Sequence, residues 1–447
     1  MHILGYKLKT QNTSSMINKL IVISLLFANF SFSQSVYRNI LITDKSEPSE
    51  VTISVNPFDN RNFVGAVNIA SYFYTFDGGL TWEVRKMESP YGVWGDPCIV
   101  ADTRGRFYYF HLSNYYEDGG TWLDRMICQR SDDGGITWND GTFFGKNKPH
   151  LQDKEWAAVD NSYSMYRNNI YSAWTQCGQN NYKNDGVSIN PIDSASNIMF
   201  AYSTDGAETW STGKRINRNS GAECSDAGNT VLGAIPCVGL DGEVYVTWSS
   251  PQGIVLDRST DGGVSFMDSD IIVSDMPGGF RYPVPGVYRC FGFPSMACDM
   301  SESVNKGNLY ICWADQRNGV NNTDVWISAS TDKGQSWSTP SLVNDDAGTS
   351  HQFFSWLTVD QQTGVIYVVF YDRRNYDNEY TDVYLASSTD GGKTFLNERI
   401  SESPFFPLSE TFMGDYTNIA ASNGVIRPVW TRLDSNKLSI WTAIIDK

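Results

Sequence analysis

Three histidines and six arginines carry much of the chemistry that this 447-residue sequence offers. Of four histidines one lies in the apolar N-terminus, which leaves His111, His150 and His351. An imidazole titrates near neutrality, so each reads either as an acid–base group or as a hydrogen-bonded structural residue. His111 occupies a strand position that elsewhere is Trp174, Trp248, Trp313, Phe370 or Trp430, and His150 stands near Asp153, Lys154 and Glu155. The arginines are Arg281, Arg289, Arg317, Arg373, Arg374 and Arg432. Several guanidinium groups aimed at one centre would grip a carboxylate or sulfate bidentately. Two of them sit in duplicated trios, Asp315/Arg317/Asp324 and Asp372/Arg374/Asp382, which read as networks bracing a loop rather than as chemistry. Arg289 has no acid near it in sequence between Asp275 and Asp299, and is the arginine expected to be free for an anion. Trp94, Tyr282 and Tyr416 read equally as packing between elements and as platforms for a sugar ring. Metal-ligand spacing is absent: no cofactor is required, and a structural calcium is compatible with the sequence.

The elements that must position these residues are repeats. The octet 388–395, Ser-Thr-Asp-Gly-Gly-Lys-Thr-Phe, has the form S-x-D-x-G-x-T-[WF], and recurs at 75–82, 131–138, 203–210, 259–266 and 330–337. Each copy follows an alternating apolar run and precedes another, so it reads as a β-hairpin turn. Ala207 replaces the second glycine in the third copy, which predicts a slightly different turn there. Upstream of the octets lie pairs of apolar strands at 51–68, 97–113, 156–176, 235–250, 295–315, 355–372 and 416–432. That makes seven units, the last one strand short. Residues 36–42 supply the missing strand, pairing with 438–445 and closing a ring. Because octets join third to fourth strands, the long irregular segments gather on the opposite face, where a site is expected.

The octet is that of the Asp-box, or BNR repeat, and the chain resembles the sialidase superfamily of β-propellers over nearly all of residues 34–447. The resemblance implies a single all-β domain with the octets as structural hairpins at the blade periphery. Sialidases have six blades; the seven units here predict seven four-stranded blades, with six as the alternative. By position the resemblance implies Tyr416 as the attacking group, Glu155 or Glu410 as its partner, and Asp96 in Trp94-Gly-Asp96-Pro as acid/base. The Phe-Arg-Ile-Pro element of sialidases is absent, and its nearest text, Tyr37-Arg38-Asn39-Ile40, falls on the predicted outermost strand. The activity implied is a glycoside hydrolase acting on acidic glycans that contain sialic or uronic acid. The blade count and the histidines also suit a polysaccharide lyase, as in the seven-bladed ulvan lyases, where an arginine neutralises the uronate and a His or Tyr takes the C5 proton. A glycan- or protein-binding propeller without chemistry is the third class.

Residues 1–33 read as a secretory signal peptide: Lys19, an apolar run over 20–32, and small residues Ser31 and Ser33 before the cleavage point. No cysteine follows directly, so no lipid anchor is expected, and no later run is long enough to span a membrane. A secreted or periplasmic monomer is expected. Net charge is −16, which excludes nucleic acid as the main partner but leaves an acidic sugar held by local arginines. Among eight cysteines, Cys98, Cys237, Cys298 and Cys312 fall in apolar strands and read as buried, whereas Cys177 and Cys224 fall in loops and form the expected disulfide.

Overall fold

The structure is a computed structural model that describes residues 37–114, 122–178, 195–225 and 228–447. The expected signal peptide lies outside the described residues, as do the central parts of three of the long loops. The described chain contains no helix, so none is long and apolar enough to cross a membrane. Seven antiparallel sheets form a ring, each sheet a blade of a propeller. The innermost strands are Ser49–Asn56, Cys98–Ala101, Leu151–Val159, Leu232–Val238, Ser295–Cys298, Gln352–Val359 and Asn418–Ser422. In blade 6 the order outward is Gln352–Val359, Ile366–Asp372, Asp382–Ser388 and Leu396–Arg399. Every residue of its second strand, IYVVFYD, is buried. A strand covered by a blade on either side has no solvent face, which explains the continuous rather than alternating apolar runs.

Closure follows the expectation with a small shift. Asn39–Thr43 is the outer strand of blade 7, pairing antiparallel with Lys437–Ala443, Asn39 opposite Ala443 and Ile40 opposite Thr442. After a break at Ile444 the chain pairs once more, Ile445 opposite Ile426. Six blades, the alternative, is excluded. An additional hairpin, Arg281–Tyr282 with Cys290–Phe291, stands between blades 4 and 5.

All six octets form one hydrogen-bonded turn. In the fifth, Ser330 Oγ donates to Asp332 Oδ1 at 2.8 Å and accepts from Gly334 N–H at 2.9 Å. Asp332 Oδ1 accepts from Ser336 N–H at 2.9 Å, while Oδ2 accepts from the Ser336 hydroxyl. Ala207 corrects the expectation of a different turn. Its N–H donates to Ser203 Oγ at 3.0 Å, as the glycines' does, and its φ of 68° enters the left-handed region instead. The closing aromatic stitches blades together: Trp138 meets Tyr72, Trp210 stacks on Phe144 at 4.2 Å, and Phe266 meets Phe200. Cys177 and Cys224 are disulfide-bonded; Cys98, Cys128, Cys237, Cys290, Cys298 and Cys312 are buried thiols.

Candidate functional site

Four innermost strands carry the same irregularity near their beginnings. Register shifts fall between Ser49 and Thr52, Asp153 and Trp156, Leu232 and Ile235, and Phe353 and Trp356. Within these bulges Glu50, Lys154, Gly233 and Phe354 take positive φ values of 51°, 52°, 73° and 52°. A bulge re-aims the side chains it carries. Two of them, Glu50 and Lys154, reach the wall of a cavity of about 210 Å³ at the ring's centre. It opens on the face opposite the octets, as expected. Asn68, Trp94, Asp96, Asp153, Arg289, Phe291, Phe293 and Asp415 complete its polar and aromatic wall. Trp156, Trp356 and Tyr416 fill the axis, with ring centroids 4.5–6.0 Å apart. The propeller therefore offers a pocket with a floor, not a channel.

The pocket concentrates acid. Asn68 Nδ2 donates to Glu50, and Asn68 Oδ1 accepts from Asp96 N–H at 2.7 Å, so one amide fixes both residues. Glu50 and Asp96 thereby share one wall of the pocket, near enough for the charge of one to act on the other. Burial first, then the charge of Asp96, hold the Glu50 carboxyl well above the usual range. A carboxyl so placed keeps a proton that it can donate. Glu155 is pushed up by burial and by Asp96, and neither of its oxygens has a hydrogen-bond partner among the described residues. Asp415 is pushed up by burial, against the pull of Arg289, which pairs with it bidentately at 2.9 and 2.6 Å. Lys154 Nζ lies 3.8 Å from the centroid of the Tyr416 ring and donates to no described acceptor.

The structure brings together Asp96, Trp94 and Arg289 in the wall, with Tyr416 and Glu155 buried beside it. Tyr416 is part of the floor rather than the wall. Its hydroxyl is buried without a partner, and burial followed by Glu50 and Asp96 pushes its pKa well up. Glu410 is exposed and away from the pocket, bonded by Ser409 Oγ at 3.0 Å. His111 does not reach the site: wholly buried within blade 2, it bonds Leu112 O and Gln129 Oε1, and burial lowers its pKa to about 4. His150 stands in the connection into blade 3, outside the pocket wall. Tyr282 is a packing residue whose hydroxyl donates to Ala314 O at 3.1 Å, and Arg281 is exposed on the same hairpin.

The other arginines are not aimed at one centre. Arg317 is held by Asp315 and Arg374 by Asp372. Asp324 and Asp382 accept instead from Asn318 and Asn375, so each expected trio is an Asp–Arg pair beside an Asp–Asn pair. Arg432 pairs with Asp434 at 2.7 Å, and Arg373 faces a different pocket. Arg289 reaches the axial wall as expected, but its carboxylate partner comes from 126 residues away, where sequence proximity gives no hint. Glu50, Asn68, Lys154 and Asp415 escaped the sequence reading as site residues. Only Asp415, next to Tyr416, carried a usable signal. Among the described residues no three His, Cys, Asp or Glu side chains are grouped to hold a metal ion.

No protein-family model matches the sequence, and no curated protein sequence does. Solved structures match. An ulvan lyase, described as a polysaccharide lyase, superposes with a TM-score of 0.50 at 9% identity over 91% of this chain and 96% of that one. An α-L-arabinofuranosidase of Fusarium graminearum gives 0.49 at 11% identity over 78% and 92%. A Trypanosoma rangeli sialidase gives 0.44 at 17% identity over 81% of this chain and 56% of that one, so the chain spans just over half its length. The chain shares its propeller fold with the ulvan lyase. At these identities the likeness is one of fold, and residue roles rest on the geometry of this chain alone.

Proposed function

We propose that the protein is a glycoside hydrolase acting on an acidic glycan, with its chemistry in the axial pocket. The observation that supports this is the Glu50–Asp96 pair, in which burial and the Asp96 charge hold the Glu50 carboxyl well above the usual range and Asn68 fixes both residues in the pocket wall. In this reading the pair gives its proton to the glycosidic oxygen as the bond from that oxygen to the anomeric carbon breaks. The negative wall beside it, Asp415 included, stabilises the positive charge that develops on the sugar ring. The pair, one proton short, then takes a proton from the water that adds to the anomeric carbon. Leaving group and water use the same side, so the product keeps its anomeric configuration.

Trp94, 39% exposed at the wall and edge-on to Trp122, serves as the platform for the sugar face. Of the His or Tyr expected as a lyase base, the histidines stand outside the axial wall and Tyr416 has its hydroxyl buried in the floor, which favours hydrolysis. The test is incubation with sialosides, with uronate-rich polysaccharides and with neutral arabinans. New reducing ends or free sugars, reduced by a factor of about 100 or more in Glu50→Gln, are expected. An unsaturated uronate absorbing in the ultraviolet would instead establish a lyase. Binding with no new ends would remove the enzyme reading altogether.

The pocket itself is a poor holder of a further anion. Asp96, Asp153 and Asp415, beside a protonated Glu50, face Lys154 and Arg289 across it. An acidic substrate needs its charge recognised elsewhere.

A further inference from the structure

Four arginines of the described chain are buried outright: Arg125, Arg373, Arg427 and Arg432. Three carry a carboxylate, Asp124, Asp446 and Asp434 respectively. Arg373, 3% exposed, carries none. Its Nε donates to Thr381 Oγ1 at 3.0 Å and its Nη1 to Pro285 O at 2.7 Å, while Nη2 is buried without an acceptor. A guanidinium held rigidly by neutral groups keeps its full charge for a ligand. It lines a pocket of about 410 Å³ on the site face, together with His351.

The histidine is equally prepared. His351 Nδ1 lies 2.9 Å from Thr323 Oγ1, which in turn stands 3.1 Å from Gln316 Nε2. With Nδ1 accepting from the Thr323 hydroxyl, the ring's own proton sits on Nε2, which is then a second donor. Burial and then Arg373 lower the His351 pKa to about 4, so the ring is neutral at neutral pH. The two residues are tied directly, Arg373 N–H donating to His351 O at 3.2 Å. Asn321, Thr349, Ser350 and Asn378 add amides and hydroxyls suited to sugar hydroxyls. Asp377 and Glu379 also line the pocket, but neither makes an ion pair with Arg373, and Asp377 is exposed. The hairpin whose Pro285 receives Arg373 is the one that carries Arg289 and Phe291 into the axial wall.

We infer that Arg373 and His351 form a subsite for an oxyanion carried by a sugar, a uronate carboxylate or a sulfate ester, flanking the axial pocket. The sugar in this statement rests on the glycan-hydrolase reading; the oxyanion does not. Such a subsite seats one charged residue of a chain while a neighbouring residue occupies the axial pocket. The pocket is large enough for one monosaccharide.

The test is calorimetric or NMR titration of the full chain with glucuronic acid, glucose 6-sulfate and glucose. Saturable binding of one or both acids, and not of glucose at the same site, is expected, and the tighter acid names the natural group. Arg373→Gln should weaken it roughly 30-fold or more. Because Arg373 also holds Pro285 and Thr381, Thr349→Trp serves as a second variant that fills the mouth from an exposed position. It should abolish the same binding in a protein that melts normally. Glu50→Gln should leave it unchanged, and acid binding by a parent chain that hydrolyses none of the glycans overturns the activity and keeps the subsite. Equal binding by both pocket variants and the parent, binding of glucose as tight as the acids, or no saturable binding overturns the subsite.

Discussion

Glu155 is a carboxyl group whose two oxygens are both buried without a hydrogen-bond partner, a standing cost to stability. Burial and Asp96 raise its pKa in the fold, so the folded chain binds its proton more tightly than the unfolded chain does. Stability from such a group is fully present below the ordinary carboxylate range and is lost as pH rises through the raised value, by up to about 1.4 kcal/mol per pH unit. Glu155→Gln should therefore melt near the parent at pH 4.5 and increasingly above it toward pH 8, which scanning calorimetry across that range would read. A parent whose melting is flat over this range would mean that Glu155 reaches water. Arg289 teaches a different lesson. Sequence proximity marked it as free for a ligand, but it is paired bidentately with Asp415, which is 4% exposed. Arg289→Ala should destabilise the chain by about 3–5 kcal/mol, because it strands a buried carboxylate. Denaturant unfolding measures this, and a loss below about 1 kcal/mol would restore Arg289 as a binding residue rather than a brace.

At the level of elements, the octets are turns with one interior hydrogen-bond plan and no place near the pocket. The Ser336 hydroxyl, then the Ser336 N–H, hold Asp332 down at about 2, so its contribution persists until pH falls through that value, opposite in sign to Glu155. Asp332→Ala should cost about 1–2 kcal/mol without altering substrate preference. Ala207→Gly should do the reverse and stabilise by about 1 kcal/mol, since it relieves a left-handed alanine in an unchanged turn. Melting temperatures of the two variants check both, and an Asp332→Ala chain that melts normally but loses turnover would put the octets on the wrong face. These elements were legible because each repeats a side-chain pattern that six positions confirm. The site was half legible. Trp94, Asp96, Glu155 and Tyr416 could be placed near the axis from the order of strands, whereas Glu50 and Lys154 could not. Their inward aim comes from bulges in innermost strands, and only Gly233, of the four residues at positive φ there, is of a type that signals such a backbone. Arg289 was misjudged for a related reason: Asp415 is brought beside it by the ring, not by the sequence, whereas Arg317 and Arg374 are held by Asp315 and Asp372 two residues upstream, as their duplication implied.

At the scale of the whole molecule, the ring holds its pocket open only if it is closed. Closure depends on five residues from one end of the described chain, Asn39–Thr43, hydrogen-bonded to Lys437–Ala443 near the other. Ile42 is buried in the cluster that joins blades 7 and 1, with Val51, Phe63 and Ile440. Asn39 further ties this strand to blade 6: its N–H donates to Glu402, and its Nδ2 donates to Ile400 O at 2.8 Å. Without the strand, the backbone groups of Lys437–Ala443 that face it become an open sheet edge, and the cluster containing Ile42 is exposed. The pocket lies between blades whose spacing this closure sets, with Asp415 entering from the start of blade 7 and Glu50 from blade 1. A chain beginning at residue 45 should therefore melt lower, associate through the bare edge in a concentration-dependent way, and lose turnover although every pocket residue is present. A synthetic peptide of residues 36–44 added in excess should restore melting temperature and activity together, since it binds only the closed form. Calorimetry and turnover measured with and without the peptide test the linkage. A shortened chain that melts and turns over like the parent would show that blade 7 holds its place on three strands, and that the ring needs no such clasp to shape its site.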